Sequence, residues 1–228
     1  MKNWPLILIL AGVLMLLVGS YMGLYVAPAE AYMGDVQRIM YVHVPTAWNA
    51  MLALTFTFVC ALMYLFRGDW KWDARLEGTM EVGVVLSLLL CIQGSIWARP
   101  TWGVWWDWDP RLTTTAVMVF AFSAILALRK FVEEPRRRAT WSAVATIVAA
   151  IDVPIVYYSV QWWNSLHQQQ SSPETVSSAF YLPLRINAIA MLVLMIGLIS
   201  LRSRMATLRL RHELAPPLPG NLAAEVAR

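Results

Sequence analysis

Six long, unbroken apolar runs govern what this chain can fold into. They lie roughly at residues 5–27, 44–66, 79–98, 113–130, 140–160 and 182–201. A run of about 20 apolar residues is long enough to cross the roughly 30 Å hydrocarbon core of a bilayer as helix. In that solvent the backbone must satisfy its own hydrogen bonds, which leaves helices or a closed barrel. Barrel strands alternate apolar and polar residues, and these runs do not. Composition agrees: 59% of the residues are hydrophobic and 14% charged, against about a quarter charged in soluble domains. The expected fold is all-α and polytopic. Residues 1–201 form a single six-helix transmembrane domain, and 202–228, with Pro216, Pro217 and Pro219, form a flexible cytoplasmic tail.

Charge sets the expected orientation. Lys2, Arg67, Lys71, Arg75, Arg129, Lys130, Arg136, Arg137, Arg138, Arg202, Arg204, Arg209, Arg211 and Arg228 fall on one side of the spans. The other side holds only Arg38, Arg99, Arg111 and Arg185. Cytoplasmic flanks carry the excess of Lys and Arg, so both termini are expected in the cytoplasm. The segments 28–43, 99–112 and 161–181 then face outward. The first run exceeds the usual 7–15-residue core of a signal peptide. It therefore reads as a retained anchor, although the small residues of Pro28-Ala29-Glu30-Ala31 offer a cleavage site.

Several chemistries lack their motifs. Cys60 and Cys91 sit in apolar runs and form neither CxxC nor CxxCH. A GxxxxGK[ST] phosphate loop is also missing, so the chain does not hydrolyse ATP by that route.

The unusual residues gather in the outer segments. Of 12 Trp, Trp48, Trp97, Trp102, Trp105, Trp106, Trp108, Trp162 and Trp163 fall in the outer half. An aromatic belt places Trp at both interfaces and explains Trp4, Trp70, Trp72 and Trp141 near the inner one. It explains less well the four Trp packed into residues 102–108. If this loop forms a helical turn, Trp102, Trp105, Trp106 and Asp109 share one face. That face would be a flat apolar shelf ending in a carboxylate.

Histidine is scarce, and two of the three, His43 and His167, lie in outer segments flanking the Trp loop. His43 stands just before Val44-Pro45, and proline suits a helix's first turn, which puts His43 at the mouth of the second span. Imidazole is a common axial ligand of haem iron. A planar macrocycle on the shelf, with one His on each face, would engage all three outer segments. Acids inside spans are functional candidates. Asp152 could pair with Arg99 or Arg185, or bond backbone freed by Pro154, whereas Glu81 lies close enough to the inner interface to hydrate.

Three stretches carry a resemblance: Arg38-Ile-Met-Tyr-Val-His43-Val-Pro-Thr-Ala-Trp48, Trp102-Gly-Val-Trp105-Trp106-Asp107-Trp108-Asp109-Pro-Arg111-Leu-Thr113, and Ser159-Val-Gln-Trp162-Trp163-Asn164-Ser-Leu-His167-Gln. Together they resemble the haem exporter protein C family, also called cytochrome c maturation protein C (CcmC), and the middle one its "WWD" signature. The likeness covers about residues 30–200. It implies a six-span bacterial inner-membrane protein that binds haem b as cargo at its periplasmic face. Such a protein loads the haem chaperone CcmE, working with the ABC-type subunits CcmA and CcmB and with CcmD. It is not a turnover enzyme. The family's two haem-ligand histidines correspond to His43 and His167. Pro110 departs from the pattern, where a small residue is expected. On this reading Trp102, Trp105, Trp106 and Trp108 bury the macrocycle, and Asp109 orients the loop or meets a partner. Arg38, Arg99, Arg111 and Arg185 are candidates for the propionates, because Arg matches carboxylates bidentately.

Two rivals come from other classes. An electron-transfer haem protein would usually hold its ligands inside the bundle, often with a second pair. A permease-type subunit, exporting haem or another solute with an ABC transporter, would need a polar path through the spans.

Overall fold

The structure, a computed structural model, describes residues 3–169, 171 and 176–215. Helices α1 (Trp4–Tyr21), α2 (Met40–Arg67), α3 (Trp70–Trp102), α4 (Pro110–Phe131), α5 (Pro135–Ala149), α6 (Asp152–Trp162) and α7 (Tyr181–Glu213) make up the fold. They form six stretches long and apolar enough to cross a membrane, with α5 and α6 together making the fifth. Among the described residues no strand occurs.

The ends of the helices follow from the residues placed there. Gly68 (φ 67°) closes α2, its N–H returning to the Tyr64 carbonyl at 2.8 Å. Positive φ is open to glycine because it lacks a Cβ. Asp109 and Glu134 cap α4 and α5, each followed by proline in the first helical position, where the missing N–H costs nothing. The fifth span breaks at Ala150–Ile151. Pro154 cannot donate to the Ala150 carbonyl, and Val153 takes that acceptor instead at 3.2 Å.

Two boundaries differ from the sequence expectation. A 3-10 turn at Asp35–Ile39 leads into α2, which starts at Met40, so Pro45 lies inside the helix and His43 in its first turn. Without an N–H at Pro45, the Tyr41 carbonyl lacks its helical donor. Asn187 of α7, fully buried, supplies one through Nδ2 at 2.8 Å. At the other end, α7 continues through Arg202 to Glu213. Its last turns are held by charge: Arg202 grips Glu81 bidentately at 2.6 and 2.8 Å, and Arg209 meets Glu77 at 2.6 Å. The remainder of the expected tail, 216–228, lies outside the described residues.

The α2–α3 hairpin is central. On one side α4, α5 and α6 close over Leu54, Leu76, Met80, Met118 and Phe122. On the other, α7 packs against both hairpin helices and carries α1 on its far side. That last contact is close because it runs over small residues. A Cβ on Gly12 would lie 2.6 Å from the Leu194 backbone, and one on Gly19 would collide with Asn187. Small residues that let backbones approach are the usual basis of helix association where no water drives it.

At the end of the bundle where α2 meets α3, Arg129 is almost fully buried. It bonds Asp73 at 2.7 and 3.0 Å and Glu77 at 2.7 Å. A lone buried charge would be far too costly in this setting, and the two carboxylates offset it. The opposite end of the bundle holds a cavity.

Candidate functional site

The cavity has a volume of about 510 Å³, within the range of about 300–1,000 Å³ typical of ligand sites. His43 reaches it from α2 and His167 from the segment after α6. Their ring centroids are 6.4 Å apart and their planes differ by 30°. Two metal–nitrogen bonds of about 2.0–2.1 Å, with about 1 Å from each nitrogen to its ring centre, sum to a centroid separation of this size once the two nitrogens face each other.

Each ring is prepared for such a role. His167 Nδ1 lies 2.8 Å from the Gln168 carbonyl, an acceptor only, so Nδ1 carries the proton and Nε2 keeps its lone pair. Orienting a ligating imidazole through its second nitrogen is the common pattern at metal sites. Burial, helped by the nearby Arg111 guanidinium, pushes the His167 imidazole down to about 4, so the ring is neutral at pH 7. His43 Nδ1 is buried without a hydrogen-bond partner among the described residues. Its ring has room because α3 carries glycine opposite: a Cβ on Gly94 would sit 3.3 Å from His43 Cε1.

The walls are aromatic above and aliphatic below. Trp97 lies 6.3 Å from the His167 ring and packs edge-on against Trp102 at 5.1 Å. Trp48, Trp106, Tyr157 and Phe180 are further aromatic residues of the lining. The floor is Met51, Leu90, Met118 and Val156. Met51 is two helical turns beyond His43, about 12 Å further into the bundle at about 1.5 Å per residue. The space therefore has an aromatic mouth and an apolar depth.

The expected shelf is rearranged. Gly103 (φ 80°) ends α3, its N–H returning to the Arg99 carbonyl at 3.1 Å, and residues 103–109 form no helix. Trp102 and Trp106 line the cavity, but Trp105 is 60% exposed and Trp108 74%, and neither lines it. The shared face predicted for Trp102, Trp105, Trp106 and Asp109 is thus absent, because a left-handed glycine breaks the helix that would have aligned them.

Asp109 is buried and serves two elements. Oδ1 accepts the Leu112 N–H at 2.9 Å, capping α4, and Oδ2 accepts the Leu166 N–H at 2.9 Å and the Ser165 hydroxyl. Burial opposes its charge, but these donors outweigh that and hold the carboxyl below the usual carboxylate range. Pro110 fits this arrangement. The residue before a proline favours extended backbone, and Asp109 has ψ 159°, the geometry of a helix cap.

Of the four outer arginines, only Arg111 lines the cavity, and its Nη1 is buried without a partner among the described residues. The others are engaged elsewhere. Arg38 binds the Gly23 and Ala27 carbonyls at 2.7 and 3.0 Å and Asp35 at 2.7 Å. Arg99 bonds the Gly103 carbonyl, and Arg185 lies over the Tyr181 ring at 5.1 Å. Asp152 forms no ion pair among the described residues, and its Oδ2 is buried without a partner there. Glu81 is held by Arg202 at the end of the bundle away from the cavity. The sequence counts Trp97 among the outer Trp without assigning it to the site and does not mark Gly94. Their spacing with Leu90 and Cys91, three and four residues apart on α3, marks one helix face and could have found them.

Comparison with known proteins is consistent along nearly the whole chain. The family model "Heme exporter protein C" matches residues 1–215. The "Heme exporter protein C" of Bradyrhizobium diazoefficiens is 34% identical over 192 residues, covering 82% of this chain and 73% of that protein. The protein of the same name from Escherichia coli (strain K12) is 31% identical over 198 residues, covering 86% and 81%. A "Putative cytochrome c biosynthesis ccmC-like mitochondrial protein" of Arabidopsis thaliana is 33% identical over 171 residues, covering 75% and 64%.

Proposed function

The chain belongs to the heme exporter protein C family, and from that premise we propose that it binds haem b as cargo between His43 and His167 and hands it to the haem chaperone CcmE during cytochrome c maturation. The supporting observation is the pair of imidazoles 6.4 Å apart in a Trp-walled cavity of about 510 Å³. A porphyrin fills the four equatorial positions of its iron and leaves two axial ones, which is the number of imidazoles offered.

This chain's residues have separate tasks. His43 and His167 hold the iron. Trp97, Trp102 and Trp106 cover the macrocycle, and Met51, Leu90 and Met118 receive its apolar edge. Arg111 meets a propionate, since its buried Nη1, without a partner among the described residues, matches a carboxylate. The cavity faces the periplasm, with both termini in the cytoplasm of a bacterium whose inner membrane the chain crosses six times. The rim, with Trp105 and Trp108 exposed, is where CcmE collects the cargo, and CcmA, CcmB and CcmD are the membrane partners. The role is binding and transfer, without turnover of a substrate by this chain.

The test is an absorption spectrum of the purified protein, alongside one of a variant carrying His43→Ala and His167→Ala. The wild type is expected to carry six-coordinate haem, and the variant to reach the membrane at equal abundance without it. Equal haem content in the two would refute the ligand assignment.

A further inference from the structure

The two loops that enclose the cavity are tied together by one carboxylate. Asp109 ends the Trp-rich loop and starts α4, while Ser165 and His167 belong to the segment after α6, 56 or more residues later in the chain. The Ser165 hydroxyl donates to Asp109 Oδ2. The same hydroxyl oxygen accepts the His167 N–H at 3.0 Å. The neighbouring Leu166 N–H also reaches Asp109 Oδ2, at 2.9 Å. Asp109 itself is 6% exposed, so water competes little for these donors.

The segment carrying His167 lies outside the helices, and Trp163 and Leu166 are exposed. Trp163 N–H returns to the Ser159 carbonyl at 3.0 Å and Gln169 Nε2 donates to the Val160 carbonyl at 3.3 Å, which tie the two ends of the segment to α6. Three hydrogen bonds converge on Ser165 and Asp109 immediately around the His167 backbone. A ligand displaced by even 1 Å loses much of its bond, which is why supporting contacts around metal ligands carry weight.

We propose that Ser165, clamped by Asp109, is a positioning residue that presents the His167 imidazole to the cavity, so that axial ligation from this side depends on the end of the Trp loop. This inference rests on the haem reading above and assigns Ser165 and Asp109 a part in it. Disturbing the Trp loop, as a docking partner would, then weakens one axial bond and leaves the other, on the rigid helix α2, in place.

Three variants separate this role from general structural damage. Ser165→Ala removes the hydroxyl. Ser165→Thr keeps it. Asp109→Asn keeps the α4 cap, since Asn caps as well as Asp, yet its single carbonyl oxygen cannot accept from Leu112, Leu166 and Ser165 together. The full-length proteins are purified in detergent, and the haem spectrum, the rate of haem loss to a scavenger and amide hydrogen exchange of the haem-free protein are measured. Ser165→Ala and Asp109→Asn are expected to shift ferric haem from six-coordinate low-spin toward His43-only ligation and to admit added imidazole at the vacated position. Haem loss should quicken about tenfold, the scale of one charge-assisted hydrogen bond. The Leu166 and His167 amides should exchange faster without haem, and Ser165→Thr should restore all three readouts. A six-coordinate wild type with both disruptive variants unchanged in spectrum and exchange would overturn the clamp and leave the haem reading intact. A wild type that takes up no haem would overturn the haem reading, whatever the exchange data show.

Discussion

The sharpest consequence of the structure is that the four Trp of the 102–108 loop are not equivalent. Consider two double variants, Trp102→Leu with Trp106→Leu and Trp105→Leu with Trp108→Leu. Leucine keeps apolar character in each, so membrane insertion is unaffected. Trp102 and Trp106 line the cavity, and Trp102 packs on Trp97 at 5.1 Å, which in turn lies 6.3 Å from His167. A planar aromatic contact contributes roughly 0.5–1.5 kcal/mol beyond area burial. Losing two weakens haem binding by about 1–3 kcal/mol, or roughly one to two decades at about 1.4 kcal/mol per tenfold. Trp105 and Trp108 are 60% and 74% exposed and do not line the cavity, Trp108 reaching it only through an edge-on contact with Trp106 at 5.7 Å, so their replacement should cost at most about 1 kcal/mol, the scale of one such contact. Haemin titration of protein purified in detergent, at matched concentration, measures both. The first pair should raise the dissociation constant by about fivefold to a hundredfold and the second should raise it less. Equal losses, or a larger loss in the exposed pair, would refute the division of the loop into lining and outward-facing residues. The exposed pair has its own expected phenotype, a normal haem content with impaired transfer to CcmE.

Further outcomes can be checked independently. Asp73→Ala leaves the buried Arg129 with Glu77 alone, and breaking such a pair costs about 3–5 kcal/mol; thermal denaturation in detergent should show a large drop, while Asp73→Leu with Arg129→Met recovers most of it, and a single variant as stable as the wild type would refute the network. Because burial and Arg111 push His167 down to about 4, the closed loop refuses a proton that an opened loop accepts below about 6.5. Its stability is therefore intact above about pH 6.5 and falls between there and pH 4. In the haem-free protein the His167 ring should remain neutral at pH 5 in an NMR titration, and a midpoint near 6.5 would contradict the depressed imidazole. A reporter fused after Gln168 should read as periplasmic and one after Pro135 as cytoplasmic; the reverse would put the cavity on the wrong side of the membrane for the proposed hand-over.

Much of this protein is decided by the sequence alone. Hydropathy over about 20 residues is a local sum, so the six spans and their order could be counted without any knowledge of how the helices pack. Scarcity did the same for the ligands: with three histidines in the chain, two flanking a run of Trp already point to the place where a metal-bearing macrocycle could bind. What sequence could not decide is direction. Whether a Trp in the 102–108 loop faces the cavity depends on the turn at Gly103, whose left-handed backbone swings Trp105 away while Trp106 remains in the wall. Arg38 and Arg111 look alike as candidates for a carboxylate, yet one is spent on the carbonyls of Gly23 and Ala27 and the other turns a buried Nη1 into the cavity with no partner among the described residues. The start of α2 before Pro45 needed Asn187, 146 residues away in sequence, to satisfy the Tyr41 carbonyl. The reach of α7 to Glu213 needed Glu77 and Glu81 on another helix. These are contacts between distant segments. Their energies arise only once the helices have chosen their rotation about their own axes, and no window of sequence contains that choice.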